Sequence, residues 1–308
     1  MKLVECVPNF SEGRRADVVH AIRDAIAAVD GVILLDVSSD SSHNRSVITF
    51  AAPTGRVVDA AFAGIRTASD LIDLTQHRGE HPRMGAAAVV PLIPLGDTTM
   101  DECIALAREL GARVARELSI PVYLYERAAT RPQRENLADV RRGEFEGIRD
   151  EIGRVAERFP DFGEARVHPT AGAVAIGARP FLVACNVYLG DASHLETAKR
   201  VAKAVRGSSG GLRFVKGLGL AVDGQAQVSM NLVDVERTPM HRAFELVRRE
   251  ADADGVATTW SEIVGLVPES VLFDAAAHYL QLAKFTPDQV LERRLRAAQQ
   301  DGASLSGY

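Results

Sequence analysis

Cysteine is scarce in this chain. Cys6, Cys103 and Cys185 are odd in number, far apart and without a C-x-x-C pair, which argues against a disulfide framework and for a reducing, cytoplasmic setting. Long hydrophobic runs are also missing. No stretch of about 18 apolar residues could span a bilayer and no basic-then-apolar signal opens the chain, so no membrane partner is expected. The glycosylation-type triplets Asn9-Phe10-Ser11 and Asn44-Arg45-Ser46 are then chance matches. Basic charge is in deficit: 36 Lys and Arg stand against 41 Asp and Glu, a net charge of −5. A general nucleic-acid binder would show a basic excess, so no nucleic-acid partner is expected and an anionic ligand must be met by local arginines.

What is present is ordinary globular material, 46% hydrophobic and 25% charged, and 308 residues are enough for two domains. The boundary is placed between 178 and 179, giving units 1–178 and 179–308. Lys2–Val7 alternates and halts at Pro8, a short strand followed by a loop at Asn9–Gly13; Ser11 or Glu12 is also suited to cap the helix that follows. Strands are expected at Val32–Val37 and Ser46–Ala51, on either side of the polar cluster 38–45, and a helix from Pro53 to about Asp73. Pro91 and Pro94 lack ladder donors, so the strand at Ala87–Pro94 is expected at an edge or irregular. A helix at Thr98–Leu118 and a strand at Val122–Tyr125 follow. The arginine- and glutamate-rich stretch 127–160 reads as outer helices with a solvated face. Ala173–Ala178 reads as a small-residue run that admits a flat ligand or another backbone, or as a bare linker.

The second half repeats the rhythm: strand 181–188, helix 193–205, a hairpin of 212–222 and 226–232 turning at Asp223-Gly224, helix 239–253, strand 259–267, then two C-terminal helices. Both halves carry β-α-β-β-α-β, so the expected fold class is α+β, with tandem ferredoxin-like subdomains. Two bare sheet faces would result, and setting the sheets face to face around a ligand crevice covers both. The glycine-rich stretches explain no phosphate site. Gly207–Gly211 ends a helix rather than opening one, and Gly217-Leu218-Gly219 lies within a strand.

Gln76-His77-Arg78-Gly79-Glu80-His81-Pro82-Arg83-Met84-Gly85 is the stretch that carries chemistry. His77, Glu80 and His81 match the H-x-x-E-H spacing of one group of zinc hydrolases, which needs a helix to bring both imidazoles to one metal. Gly79 weakens that helix and Pro82 drives His81 toward extended backbone. Without the metal, His81 is the group suited to move a proton near neutral pH, Glu80 can orient it or hold a substrate cation, and Arg83 offers a bidentate partner for a carboxylate.

Five motifs together resemble the glutamate formimidoyltransferase (formiminotransferase) family: Val4–Gly13, His43-Asn44-Arg45, Gly79–Gly85, Pro121–Tyr125 and His168-Pro169-Thr170-Ala171-Gly172. The likeness runs essentially end to end. The resemblance implies transfer of the formimino group of N-formimino-L-glutamate to N5 of tetrahydrofolate, the folate serving as co-substrate, with no metal and in a homodimer. It places the catalytic histidine on His81 and the folate-contacting segment on Gly163-Glu164-Ala165-Arg166-Val167-His168-Pro169-Thr170-Ala171-Gly172. In the bifunctional animal members an acidic residue lies near the folate two places after the aspartate matching Asp36. Here that place is Ser38, and Asp40 is the candidate to take over. Those members also carry a cyclodeaminase domain for which this chain has no residues, so transfer alone is expected. Asn9, Ser11 and Asn44 are further candidates for substrate binding, and Arg45, Arg83 and Arg179 are candidates for substrate carboxylates on chemical grounds. Rival readings are formyl transfer from N-formylglutamate, the zinc hydrolase, and a folate carrier without catalysis.

Overall fold

A computed structural model describes residues 2–79 and 82–300, the side chain of Gln300 excepted. Glu80 and His81, at the centre of the expected reactive loop, lie outside the described residues. The chain divides into two compact units, Met1–Pro180 and Phe181–Tyr308, each α+β with its own sheet.

In the first unit, β1 (Leu3–Cys6) and β2 (Asn9–Phe10) form one strand line interrupted at Pro8. The expected loop at Asn9 is therefore partly strand. α1 (Ala16–Ala27) leads to β3 (Ile33–Asp40), which runs into the polar cluster read as a connection, and a turn leads to β4 (Arg45–Pro53). Then come α2 (Val57–Leu71), β5 (Ala87–Leu95), α3 (Met100–Leu118), β6 (Val122–Glu126), the short α4 (Leu137–Val140), α5 (Glu144–Glu151) and β7 (Val174–Ala178). Thr99 and Glu102 exchange hydrogen bonds in a capping box that starts α3. The strand order is β3, β4, then β1 and β2, then β5, β7 and β6; only β5–β7 and β7–β6 are parallel.

Three expectations change. β5 is a central strand, despite its prolines. Pro91 faces the break between β1 and β2, where its carbonyl accepts from Val7 N–H at 3.4 Å, so its missing donor falls where the neighbouring ladder is already interrupted. Pro94 points to the other side, beyond Leu92↔Ala178, the last β5–β7 pair. Of the readings offered for the small-residue run, the close approach of another backbone is the one that holds: 174–178 form a buried strand between β5 and β6, narrow enough at Gly177 for the Tyr125 ring to lie against it.

The third change concerns 127–160, whose charge is only partly a solvated face. α1, α2 and α3 cover one side of the sheet around Phe10, Ile22, Ile48, Phe50 and Leu92. Val140, Ile148 and Ile152 cover part of the other side, against Ala88, Val89, Tyr123 and Ala175. Two buried arginines tie this cover down. Arg134 pairs with Asp161 and donates to the Glu157 and Phe159 carbonyls, while Arg158 holds Glu151 at 2.5 Å and donates to the Val140 and Arg142 carbonyls.

The second unit runs β8 (Val183–Asp191), α6 (Leu195–Val205), β9 (Val215–Val222), β10 (Gln225–Leu232), α7 (Met240–Asp252), β11 (Trp260–Val264), α8 (Glu269–Leu280) and α9 (Leu291–Gln300). Its sheet has the order β11, β8, β10, β9, antiparallel throughout. Val183, Cys185, Val187 and Leu189 alternate onto the core under α6 and α7. The hairpin turns at Asp223 and Gly224, both with positive φ (49° and 75°), the backbone that a two-residue turn of this hand requires. All three cysteines are buried and free.

Arg134→Ala would leave the buried Asp161 carboxylate without its cation. It should cost about 3–5 kcal/mol of stability, read from urea unfolding, whereas Arg131→Ala at the exposed neighbouring position should cost far less.

Candidate active site

The described residues on both sides of Glu80–His81 are fastened to the rest of the unit. On the N-terminal side α2 has ended at Leu71, and 77–79 have no helical structure. His77 is buried, and its Nε2 lies 2.9 Å from the Asn44 carbonyl oxygen, which makes Nε2 the proton-bearing nitrogen. The Asn44 side chain donates to the Arg78 carbonyl at 3.0 Å and accepts from Gly13 N–H at 3.0 Å, tying three separate segments. Asn44 itself takes a left-handed φ of 48°, tolerable for asparagine. The turn beneath it is held by Asp40, which accepts from the His43 backbone N–H at 2.8 Å and lies 2.9 Å from His43 Nδ1. The His43 N–H, with help from its ring, holds the Asp40 carboxyl below the usual range against a smaller opposing effect of burial.

On the C-terminal side, Arg83 is clamped. Its Nη1 lies 3.3 Å from Glu144 and its Nη2 2.6 Å from Glu146, while its carbonyl accepts from Phe145 N–H at 2.8 Å. Met84, Gly85 and Ala86 then lie against Ala171–Ala173. Ala173 N–H donates to the Met84 carbonyl and Ala86 N–H to the Ala171 carbonyl, each at 2.9 Å. A methyl on Gly85 would run into the Ala173 carbonyl, and one on Gly172 (φ 71°) into that of Met84, so this close approach needs glycine on both sides. Ser11 completes the clamp through Oγ to the Gly85 carbonyl at 2.8 Å and N–H to the Ala86 carbonyl at 2.9 Å. Glu12, not Ser11, serves the entry to α1, accepting from the Arg14 and Arg15 N–H groups at 2.9 Å.

The segment 163–172 divides in two. Glu164 and Arg166 pair with each other in solvent, and Gly163 is exposed, with its Cα side against Pro121 and Ala115. Ala165 and Val167 pack on the apolar cover, Pro169 is exposed, and His168–Gly172 closes a turn beside Gly85. His168 Nδ1 accepts from Ala171 N–H at 3.0 Å, and the Thr170 carbonyl accepts from Leu74 N–H at 2.9 Å. Of the quoted motifs, the first, second, third and fifth thus converge.

The first three of these motifs meet at a small hollow, partly open to solvent, lined by Asn9, Ser11, His43, Asn44, Arg45, His77, Arg83 and Ala88, while the fifth docks outside it against Gly85. His77 and Arg83 flank Glu80–His81 in the chain. Arg45 donates to the Asn9 side-chain oxygen. Burial, and next the charge of Arg141, pull the Arg45 pKa down to about 10, against a weaker upward pull from Asp40. Sequence reasoning named neither Arg141 nor the pair Glu144 and Glu146 as part of this neighbourhood. They sit in the charge-mixed stretch, where no spacing distinguishes them.

The chain matches the model of the formiminotransferase domain, N-terminal subdomain, over residues 3–179, and that of the formiminotransferase domain over 184–296. It is 53% identical to a glutamate formimidoyltransferase of Thermoplasma acidophilum, over 97% of this chain and 99% of that protein. It is 45% identical to one of Streptococcus pyogenes, over 96% and 99%. Against the formimidoyltransferase-cyclodeaminase of Rattus norvegicus it is 45% identical, over 92% of this chain and 53% of the longer protein.

Burial lowers the pKa of both His77 and His168. The unfolded chain therefore binds more protons than the folded one once pH drops below about 6.5, so their contribution to stability is complete above that value and lost as pH falls through it. The melting temperature should fall from pH 7 to pH 5, and the fall should be shallower in His77→Gln/His168→Asn. An unchanged slope would count against this account.

Proposed function

The chain belongs to the formiminotransferase family, and from that premise we infer its activity: transfer of the formimino group of N-formimino-L-glutamate to N5 of tetrahydrofolate, releasing L-glutamate. Tetrahydrofolate is a co-substrate, consumed in each turnover. The observation that carries the reading is the convergence of three sequence-distant motifs around one hollow beside residues 80–81, with a fourth docked against the C-terminal flank at Gly85.

The reaction sets the chemistry. The formimino carbon is an amidine-like electrophile, and N5 of the reduced pterin must lose a proton as it attacks. His81 accepts that proton and returns it to the departing glutamate nitrogen, so one imidazole serves both halves of a tetrahedral pathway. The anchors on His77–Gly79 and Arg83–Ala86 support this assignment, because a general base must be held within hydrogen-bond reach of its substrate. The folate-contacting role of Gly163–Gly172 is carried over from the family pattern. The part of that segment beside the reactive loop is His168–Gly172, which is where contact with a shared substrate is expected. Arg83 is better suited to hold the loop than to bind a substrate carboxylate, since Glu144 and Glu146 already balance its charge.

We read each unit as built on a ferredoxin-like sheet. The antiparallel order β11, β8, β10, β9 supports this in the second unit. In the first, the order β3, β4, β1 and β2, β5 supports it, with β7 and β6 added beyond β5. A homodimer in the cytoplasm completes the proposal, and sedimentation of the purified protein tests the dimer. Among the described residues no helix is long and apolar enough to cross a membrane. The metal-hydrolase alternative needed a helix through His77, and 77–79 are not helical, with the His77 Nε2 proton directed to Asn44.

Purified protein with tetrahydrofolate and N-formiminoglutamate should form the 5-substituted folate, followed by absorbance, with N-formylglutamate a poor donor. Faster turnover of the formyl compound would transfer the assignment to formyl transfer. His81→Ala should lower kcat on the order of 10²- to 10⁴-fold while the KM for tetrahydrofolate changes little. Wild-type turnover in that variant would remove the assignment.

A further inference from the structure

Among the described residues of the first unit, Arg45, Arg83, Arg134, Arg141 and Arg158 are all largely withdrawn from water, and their ion pairs divide them. Arg83 has two carboxylates although its Nε is buried without a partner. Arg134 and Arg158 are saturated, each with a carboxylate and backbone carbonyls. Arg45 and Arg141 are not. Among the described residues neither has an ion pair; Arg45 has only the neutral Asn9 amide, and the Nε of each is buried without a partner. The carboxylates that act on them are committed elsewhere, Asp40 to His43 and Glu144 to Arg83.

Their placement is shared. Ile48, Phe50 and Ala52 of β4 face the α1–α2 side, so alternation sends Arg45 to the opposite face. Arg141 directly follows α4, whose Val140 packs on that same face against Ala88, and Ala88 also lines the hollow with Arg45. The two charges are close enough for Arg141 to depress the pKa of Arg45, yet guanidinium stays protonated at neutral pH. Two like charges withdrawn from water with no counter-ion are costly, and an arriving anion removes that cost.

We propose that Arg45 and Arg141 form the subsite for a glutamyl carboxylate, Arg45 at the hollow and oriented by Asn9, Arg141 outside its present lining but on the same sheet face just after α4, and that the occupant is the glutamate half of the formimino donor. This rests on the transferase reading. Both substrates carry a glutamyl group, and the donor is favoured by position: the hollow adjoins the loop that carries the proposed base, and in the donor the glutamate nitrogen is bonded directly to the reacting formimino carbon.

Arg141→Gln and Arg45→Gln are the test, with donor and folate kinetics measured separately and binding of L-glutamate followed by the rise it causes in melting temperature. Each variant should raise the donor KM on the order of 10- to 100-fold with kcat much less affected, and abolish the L-glutamate-induced rise. Arg141→Lys, which keeps the charge but not the fork, should recover part of the loss. Without ligand, Arg141→Gln should melt no lower than wild type, because it removes an uncompensated charge; a purely structural arginine would destabilise on removal. A rise in folate KM alone would overturn the donor assignment and place the pair on the folate tail. Unchanged KM for both substrates, or an intact response to L-glutamate, would overturn the subsite. If wild type fails to turn over the donor at all, the transferase reading falls, while the L-glutamate measurement still decides whether the arginines bind a carboxylate.

Discussion

Gly85 and Gly172 meet backbone to backbone, and much of the site's geometry depends on that approach. Through it the chain leaving the reactive loop is held by Ala171–Ala173 on one side and by Ser11 on the other. A side chain at either glycine would separate the strands, and with them the two motifs that the family pattern assigns to catalysis and to folate. The constraint is steric, but its consequence is chemical: proton transfer between two amines requires the acid–base group to be positioned to within a fraction of an ångström.

Charge is distributed around this clamp with some economy of role. Arg134 and Arg158 are structural, because each donates to a carboxylate and to backbone carbonyls and so ties the cover of 127–160 together. Arg83 belongs with them, since Glu144 and Glu146 convert it from a free cation to a loop anchor. Arg45 and Arg141 stand apart in having no ion pair among the described residues, whereas the buried Nε without an acceptor is a feature they share with Arg83.

Element types were readable because they rest on local pattern. α3, the Asp223-Gly224 hairpin and the β8–β11 rhythm follow from periodicity, capping and turn chemistry within a few residues. β7 was missed because Val174–Ala178 lacks the bulky β-branched signature of a strand; its small residues are explained only by the Tyr125 ring from β6 lying over Gly177. β5 was displaced to an edge because Pro91 was judged by itself, whereas its missing donor is harmless opposite the break at Pro8. The charge-rich stretch 127–160 looked solvated because periodicity cannot tell Arg134, buried and paired, from Arg131, exposed.

The sequence by itself determined the motifs and the family they point to, since each is written in contiguous residues whose chemistry does not depend on distant neighbours, and it supplies His81 as the proton-moving group that we propose. Only the tertiary structure decided which arginines are spent and which remain open to a ligand. Arg83 is held by glutamates 61 and 63 residues further along the chain, whereas Arg45 has no ion pair among the described residues and Asp40 pairs with His43. The availability of a guanidinium depends on what folding places around it, and no local pattern records that.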